Sequence, residues 1–260
     1  MTMLTRSMSL RALVAPLAAS IAAFAHALPQ DGAAPAAPAA PAAPAQAPAP
    51  APAPAGIVFV KLATSKGDLL LELDAVKAPI SVDNFMKYVK AGFYDGTVVH
   101  RIVPGFVVQG GGFDQAMVQK QTNPPIKNEW RNGLKNAKGT ISMARLPSPD
   151  TATSQFFLNL KDNAALDGAN GPGYAVFGKI VVGIDVLDAM GAAPTTSKEV
   201  TDQAGRKQVF SDVPVEAIVM TKAVELDAAA AAAMIEAAKS KPAAPAAPAA
   251  PAGDMPAQAK

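Results

Sequence analysis

His100-Arg101-Ile102-Val103-Pro104-Gly105-Phe106-Val107-Val108-Gln109-Gly110-Gly111 is the stretch on which the reading of the fold turns. It sets one arginine and one glutamine into an apolar, β-branched run broken by a Pro-Gly turn. Such a composition favours two short strands. Side chains in a strand alternate between faces, so Arg101 and Gln109 need a reason to stand among Val, Ile and Phe. A second run, Ser154-Gln155-Phe156-Phe157-Leu158-Asn159, again mixes a glutamine with aromatics.

Outward from this stretch, the centre of the chain reads as mainly β. Ile57–Leu62 and Asp68–Leu73 flank a Ser65-Lys66-Gly67 turn. Further strands are expected at Thr97–Ile102, Phe106–Gln109, Thr140–Ala144, Gln155–Asn159, Tyr174–Val181 and Val215–Ala223. Val82, Phe85, Met86 and Val89 fall at helical spacing, which predicts a helix over Ser81–Lys90 ended by Gly92; Ile184–Met190 is a second. Eight short strands and two helices predict a closed antiparallel barrel capped by those helices.

The ends differ in composition. Arg6 and Arg11, the apolar run Ala12–Ala25 and the small-x-small site Ala25-His26-Ala27 read as a secretory signal over residues 1–27. The run is short, Ala-rich and interrupted by Pro16, which argues against a membrane anchor. Residues 28–56 are an Ala/Pro-rich linker with a polyproline II bias, followed by the folded domain at 57–226. Residues 227–260 read as a short Ala-rich helix and a second Ala/Pro-rich, disordered tail.

Removing residues 1–27 takes two of the 23 basic side chains and none of the 21 acidic ones, leaving a balanced chain. A neutral chain has no electrostatic footprint for nucleic acid or a membrane surface. The chain has no cysteine, and His100 is the one histidine beyond the signal. That argues against disulfides, thiol chemistry, a His-based metal site and a Ser-His-Asp triad. Gly110-Gly111-Gly112 is no phosphate loop, since no Gly-Lys-Ser/Thr follows; close backbone approach or a bulge fits better. Trp130, in the polar loop Asn128–Asn132, reads as a loop cap, and His100 as structural.

The two runs, with Ser142-Met143-Ala144-Arg145, Ala165-Leu166-Asp167-Gly168, Val176-Phe177-Gly178-Lys179 and Gly92-Phe93-Tyr94-Asp95-Gly96, resemble the cyclophilin family of peptidyl-prolyl isomerases over about residues 57–224. The resemblance implies that Arg101 is catalytic and that Gln109 orients it. It places Phe106, Val107, Ala144, Arg145, Gln155, Phe157, Leu166 and Tyr174 around the substrate. Phe106, Phe157 and Leu166 would line a proline pocket, and Ala144 and Arg145 would hold the substrate's main chain. The implied enzyme uses no cofactor and no metal. It acts as a monomer, without stable membrane association, on proline-containing unfolded or extended polypeptides. With the signal, it is expected to be periplasmic and to assist the folding of exported proteins. Val107, Tyr174 and Ala165 stand where eukaryotic members carry methionine, histidine and tryptophan. Ala165 in particular implies weak cyclosporin binding.

Overall fold

Strands β1 (Ile57–Thr64) and β2 (Gly67–Asp74) form a hairpin whose residues alternate between the barrel interior and the outside. Val58, Val60, Leu62, Leu69, Leu71 and Leu73 point inward and are buried. The computed structural model describes residues 56–169 and 171–240, and these belong to one unit. The expected signal at 1–27, the linker at 28–55 and the tail at 241–260 lie outside the described residues.

The remaining strands are β3 (Val98–Val103), β4 (Val107–Phe113), β5 (Thr140–Met143), β6 (Phe156–Asn159), β7 (Val176–Val182), β8 (Thr195–Thr201), β9 (Lys207–Pro214) and β10 (Met220–Leu226). Eight of them form one antiparallel sheet in the order β10-β1-β2-β7-β5-β6-β4-β3. Its two edges meet at a single bridge, Val98 to Val219. There Val99 donates its N–H to Ile218 and Met220 donates to Thr97, at 2.9 and 2.8 Å. The expected barrel is therefore closed by one short contact and not by a full ladder. This gap is why the last strand begins at Met220, later than the expected Val215: residues 215–219 turn the chain back onto β3.

Two helices cap the barrel, α1 (Pro79–Lys90) and α2 (Ile184–Gly191). Pro79 pre-sets the first turn of α1. No side chain of the helix caps its start; instead the Glu129 carboxylate accepts from the Ile80 N–H, the Ser81 N–H and the Ser81 hydroxyl, at 3.0, 2.8 and 2.7 Å. A third helix, α3 (Ala228–Lys239), follows β10 and starts on Asp227, whose carboxylate accepts from the Ala230 N–H at 2.7 Å. It matches the expected Ala-rich helix and lies against β7 and β10 with Ala231 buried.

The barrel is packed solid. Phe85 of α1 meets Tyr94, Phe156 and Phe177 with ring centroids 5.0–5.6 Å apart. The void among Leu62, Leu69, Val99 and Met220 measures about 10 Å³, too small for any ligand.

The β8–β9 hairpin stands outside the barrel and was not expected. Thr195–Pro214 is mostly polar, so the period-two pattern of the larger sheet is missing. The hairpin docks through Val200 and Val213 onto Val98, Phe113 and Met117, a second small core.

Replacing Phe85 by Ala removes the ring on which Tyr94, Phe156 and Phe177 converge. It should cost about 3–5 kcal/mol, read from urea denaturation midpoints. A loss below about 1 kcal/mol would contradict the packing described.

Candidate active site

A β-bulge in β3 places the arginine. Val99 pairs with Gly110 and Arg101 with Gln109, which leaves His100 as the extra residue. Val99 and Ile102 both point into the barrel core, three positions apart instead of two. Strict alternation would send Arg101 inward with Val99. The extra residue shifts the phase, so Arg101 emerges on the outer face opposite Gln109. The glycines beside it allow this crowding. A Cβ on Gly110 would come within 2.5 Å of Met220, and one on Gly112 within 2.5 Å of Gln155.

The bulged His100 is 1 % exposed, tilted against Phe113 with ring centroids 4.7 Å apart, with its Nδ1 unpartnered. Burial, and then the Arg101 charge next door, push its imidazole down to about 3. At neutral pH it is an uncharged packing residue.

On the same outer face, Val107, Ala144 and Phe157 form a buried cluster against which Phe106, Leu166 and Tyr174 pack half-exposed. The structure thus brings together six of the residues the sequence pointed to. β4 supplies Val107, the turn before it Phe106, β6 Phe157 and the end of β5 Ala144. Leu166 comes from a 3₁₀ turn, Ala164–Asp167, and Tyr174 from the loop after it. Phe157 and Tyr174 meet edge to face at 5.5 Å. The result is a shallow apolar basin with aromatic walls.

Arg145 closes one side. Its guanidinium lies 4.4 Å over the Tyr174 ring and donates to the carbonyls of Leu146, Pro147, Pro172 and Gly173. That side chain is committed to holding loops. Its backbone is not: among the described residues the Arg145 N–H and C=O have no hydrogen-bond partner. They form an open edge beside the basin, suited to an extended peptide.

Gln109 does not bond Arg101. Its amide Nε2 donates to Gln155 Oε1 at 3.0 Å. Arg101 instead has a carboxylate neighbour, Asp212 of β9, with Nε 3.6 Å from Oδ2. Arg101, Gln109, Gln155, Ala144 and Arg145 line one side of a groove of about 620 Å³, and Gln208–Asp212 line the other. The groove runs on from the basin through Ala144.

Residues 59–222 match the sequence pattern of the family described as cyclophilin type peptidyl-prolyl cis-trans isomerase/CLD. The chain belongs to that family. It is 58% identical over 137 residues to the peptidyl-prolyl cis-trans isomerase A of Dickeya dadantii (strain 3937), covering 52% of this chain and 72% of the relative. It is 42% identical over 165 residues to the peptidyl-prolyl cis-trans isomerase B of Escherichia coli (strain K12), covering 62% and 95%. Among solved structures, it resembles a cyclophilin-type isomerase of Cryptosporidium parvum crystallised with the dipeptide Ala-Pro. The TM-score is 0.52 at 25% identity, over 65% of this chain and 99% of that one. This chain is a cyclophilin-type peptidyl-prolyl isomerase, and the basin lies on the outer face of its barrel.

Sequence reasoning missed the polar scaffold under the cyclophilin basin. Asn136 Oδ1 accepts from the Ser142 hydroxyl at 2.8 Å and from Asn159 at 3.3 Å. Asn163 donates to Asn159 Oδ1 at 2.8 Å and to the Phe106 carbonyl at 3.0 Å. Asp167 accepts from the Asn136 N–H and amide at 2.8 and 2.9 Å. This network fixes the Phe106 turn and the Leu166 turn to the sheet. Its only signal in the sequence is the set Asn136, Asn159, Asn163 and Asp167, of which Asn159 ends β6 and the others lie in loops and a 3₁₀ turn. Trp130 lies against Gly168 with Arg131 over its ring, bracing the same loop from outside.

The state of His100 gives a stability prediction. The unfolded imidazole takes a proton below about pH 6.5, and the native one not until about 3. Between those values the unfolded chain holds the extra proton, so stability falls as pH drops from about 6.5 towards 3. His100→Phe should flatten that fall by about 1.4 kcal/mol per pH unit, measured by urea denaturation from pH 7 to 4. An unchanged pH dependence would show that His100 takes up its proton at the same pH in the native and unfolded states, and would contradict its burial as a neutral group.

Proposed function

We propose that this isomerase acts on X–Pro bonds of exported polypeptides, with Arg101 stabilising the twisted amide over the apolar basin. The observation that carries the reading is the bulge-exposed Arg101, which lies in one cross-strand row with Gln109 and the Phe157 of the apolar basin. Rotation about an X–Pro amide is opposed by a barrier of about 20 kcal/mol, from the double-bond character of the C–N bond. In the twisted state the proline nitrogen becomes pyramidal and regains a lone pair. A guanidinium facing that nitrogen interacts with it more strongly than with the planar amide, and only such a difference accelerates the step. Each tenfold in rate needs about 1.4 kcal/mol of it. The proline ring seats in the basin, and the substrate's backbone lies along the open Arg145 edge. No bond to the protein forms and no proton is transferred, which fits a site whose one histidine is buried and uncharged.

The domain boundary at 57–226 leaves the N-terminal signal and the two Ala/Pro tracts outside the catalytic unit. Arg6, Arg11, the apolar run and Ala25-His26-Ala27 support export, with a mature protein starting at Leu28 in the periplasm. Clients are then proline-containing chains that are still unfolded or extended. The relative from Cryptosporidium was crystallised with Ala-Pro, and the same dipeptide chemistry fits the small apolar basin here.

The full mature protein should accelerate exchange at an Ala-Pro peptide bond. Arg101→Ala should lose about a hundredfold of kcat/KM with the fold intact, as for removal of one pre-aimed donor. Wild-type acceleration that survives in the variant would move catalysis to another group. Cyclosporin should inhibit weakly, because Ala165 offers no indole N–H; a nanomolar inhibition constant would contradict this.

A further inference from the structure

Among the described residues Arg101 has one carboxylate within reach, and it comes from outside the barrel. Asp212 Oδ2 stands 3.6 Å from Arg101 Nε, with the two side chains 42% and 40% exposed. The strand that carries Asp212 is firmly anchored. Phe210 meets Phe113 edge to face at 5.6 Å and comes within 6.0 Å of His100. Val213 is buried with Val98 and Met117.

The pairing of β8 with β9 carries a bulge at this point. Thr196 pairs with Val213 and Lys198 with Phe210, so Ser197 faces both Ser211 and Asp212. Phe210 and Val213 both enter the small core, three positions apart instead of two. The extra residue turns Asp212 away from that core and towards β3. Both members of the pair therefore stand at places where strand alternation is broken by one residue. Gln109, opposite Arg101 in the ladder, uses its Nε2 on Gln155, so Asp212 is the charged partner of the arginine.

We propose that Asp212 is a further positioning residue for Arg101. Its carboxylate engages the Nε edge of the guanidinium and fixes the plane of the group, leaving the terminal Nη groups for the substrate. A long, half-exposed arginine otherwise samples many rotamers, and each misplaced one is lost to catalysis. The β8–β9 hairpin then sets catalytic geometry as well as forming a wall of the groove. The inference rests on the reading of Arg101 as the catalytic group.

The test is steady-state kinetics of the mature protein on an Ala-Pro peptide, with Asp212→Asn, Asp212→Glu and Arg101→Ala. An exposed pair of this kind predicts a fall of about two- to fivefold in kcat for Asp212→Asn with KM unchanged. Asp212→Glu should recover most of it. In the Arg101→Ala background, Asp212→Asn should change nothing further. The Arg101 Nε–H resonance should shift and broaden in Asp212→Asn while the thermal midpoint holds. An unchanged kcat, a raised kcat, a fall confined to KM, or an equal fall in the Arg101→Ala background would each overturn the proposal. Full activity of Arg101→Ala alone would instead remove the catalytic reading on which it rests.

Discussion

One extra residue in β3 decides what this molecule can do. The barrel core needs Val99 and Ile102 inside, and a regular strand could not supply both. Inserting His100 as a bulge satisfies the core and turns Arg101 outward. The rest follows from accommodating that step. His100 must be buried, so it stays neutral against Phe113. Gly110 and Gly112 must lack side chains, because a Cβ at either would collide with Met220 or Gln155. The site's charge is thus a product of register.

The basin beside Arg101 is built by the opposite means. Its walls come from four separate segments, so packing alone would leave them loose. The Asn136–Asn159–Asn163–Asp167 network ties two of those segments to the sheet with buried hydrogen bonds. Buried amides of this kind are favourable only when nearly all their partners are present, which makes the arrangement unforgiving. Arg145 fastens a third segment by its guanidinium while its own backbone is left open. Rigidity suits the reaction, since a pre-aimed dipole needs no rearrangement when the amide twists.

The barrel and the basin were legible in the sequence because both rest on short, local signals. Alternation exposed the core strands, and the runs around Arg101 and Phe157 carried the family resemblance. What failed to show were features that depend on pairing. The bulge at His100 exists only relative to Gly110 and Gln109 on the next strand, so Val98–Arg101 read as plain strand. The β8–β9 hairpin buries little beyond Val200 and Val213, and its polar residues masked it. The resemblance pointed to Gln109 beside Arg101; the structure ties the Nε2 of that amide to Gln155 and adds Asp212, which no pattern in the sequence placed there. The asparagine scaffold was invisible because an asparagine in a loop or at a strand end, as Asn159 is, is usually solvated.

We propose that Arg101 acts on the twisted amide and not on the planar one. This is tested most directly by NMR exchange on an Ala-Pro peptide bound to wild type and to Arg101→Ala, reading affinity and bound-state cis–trans interconversion in the same sample. The variant should bind the peptide with nearly the wild-type Kd while interconversion on the enzyme slows about a hundredfold. Affinity lost in step with the rate would contradict it, and would make Arg101 a ground-state anchor for the substrate.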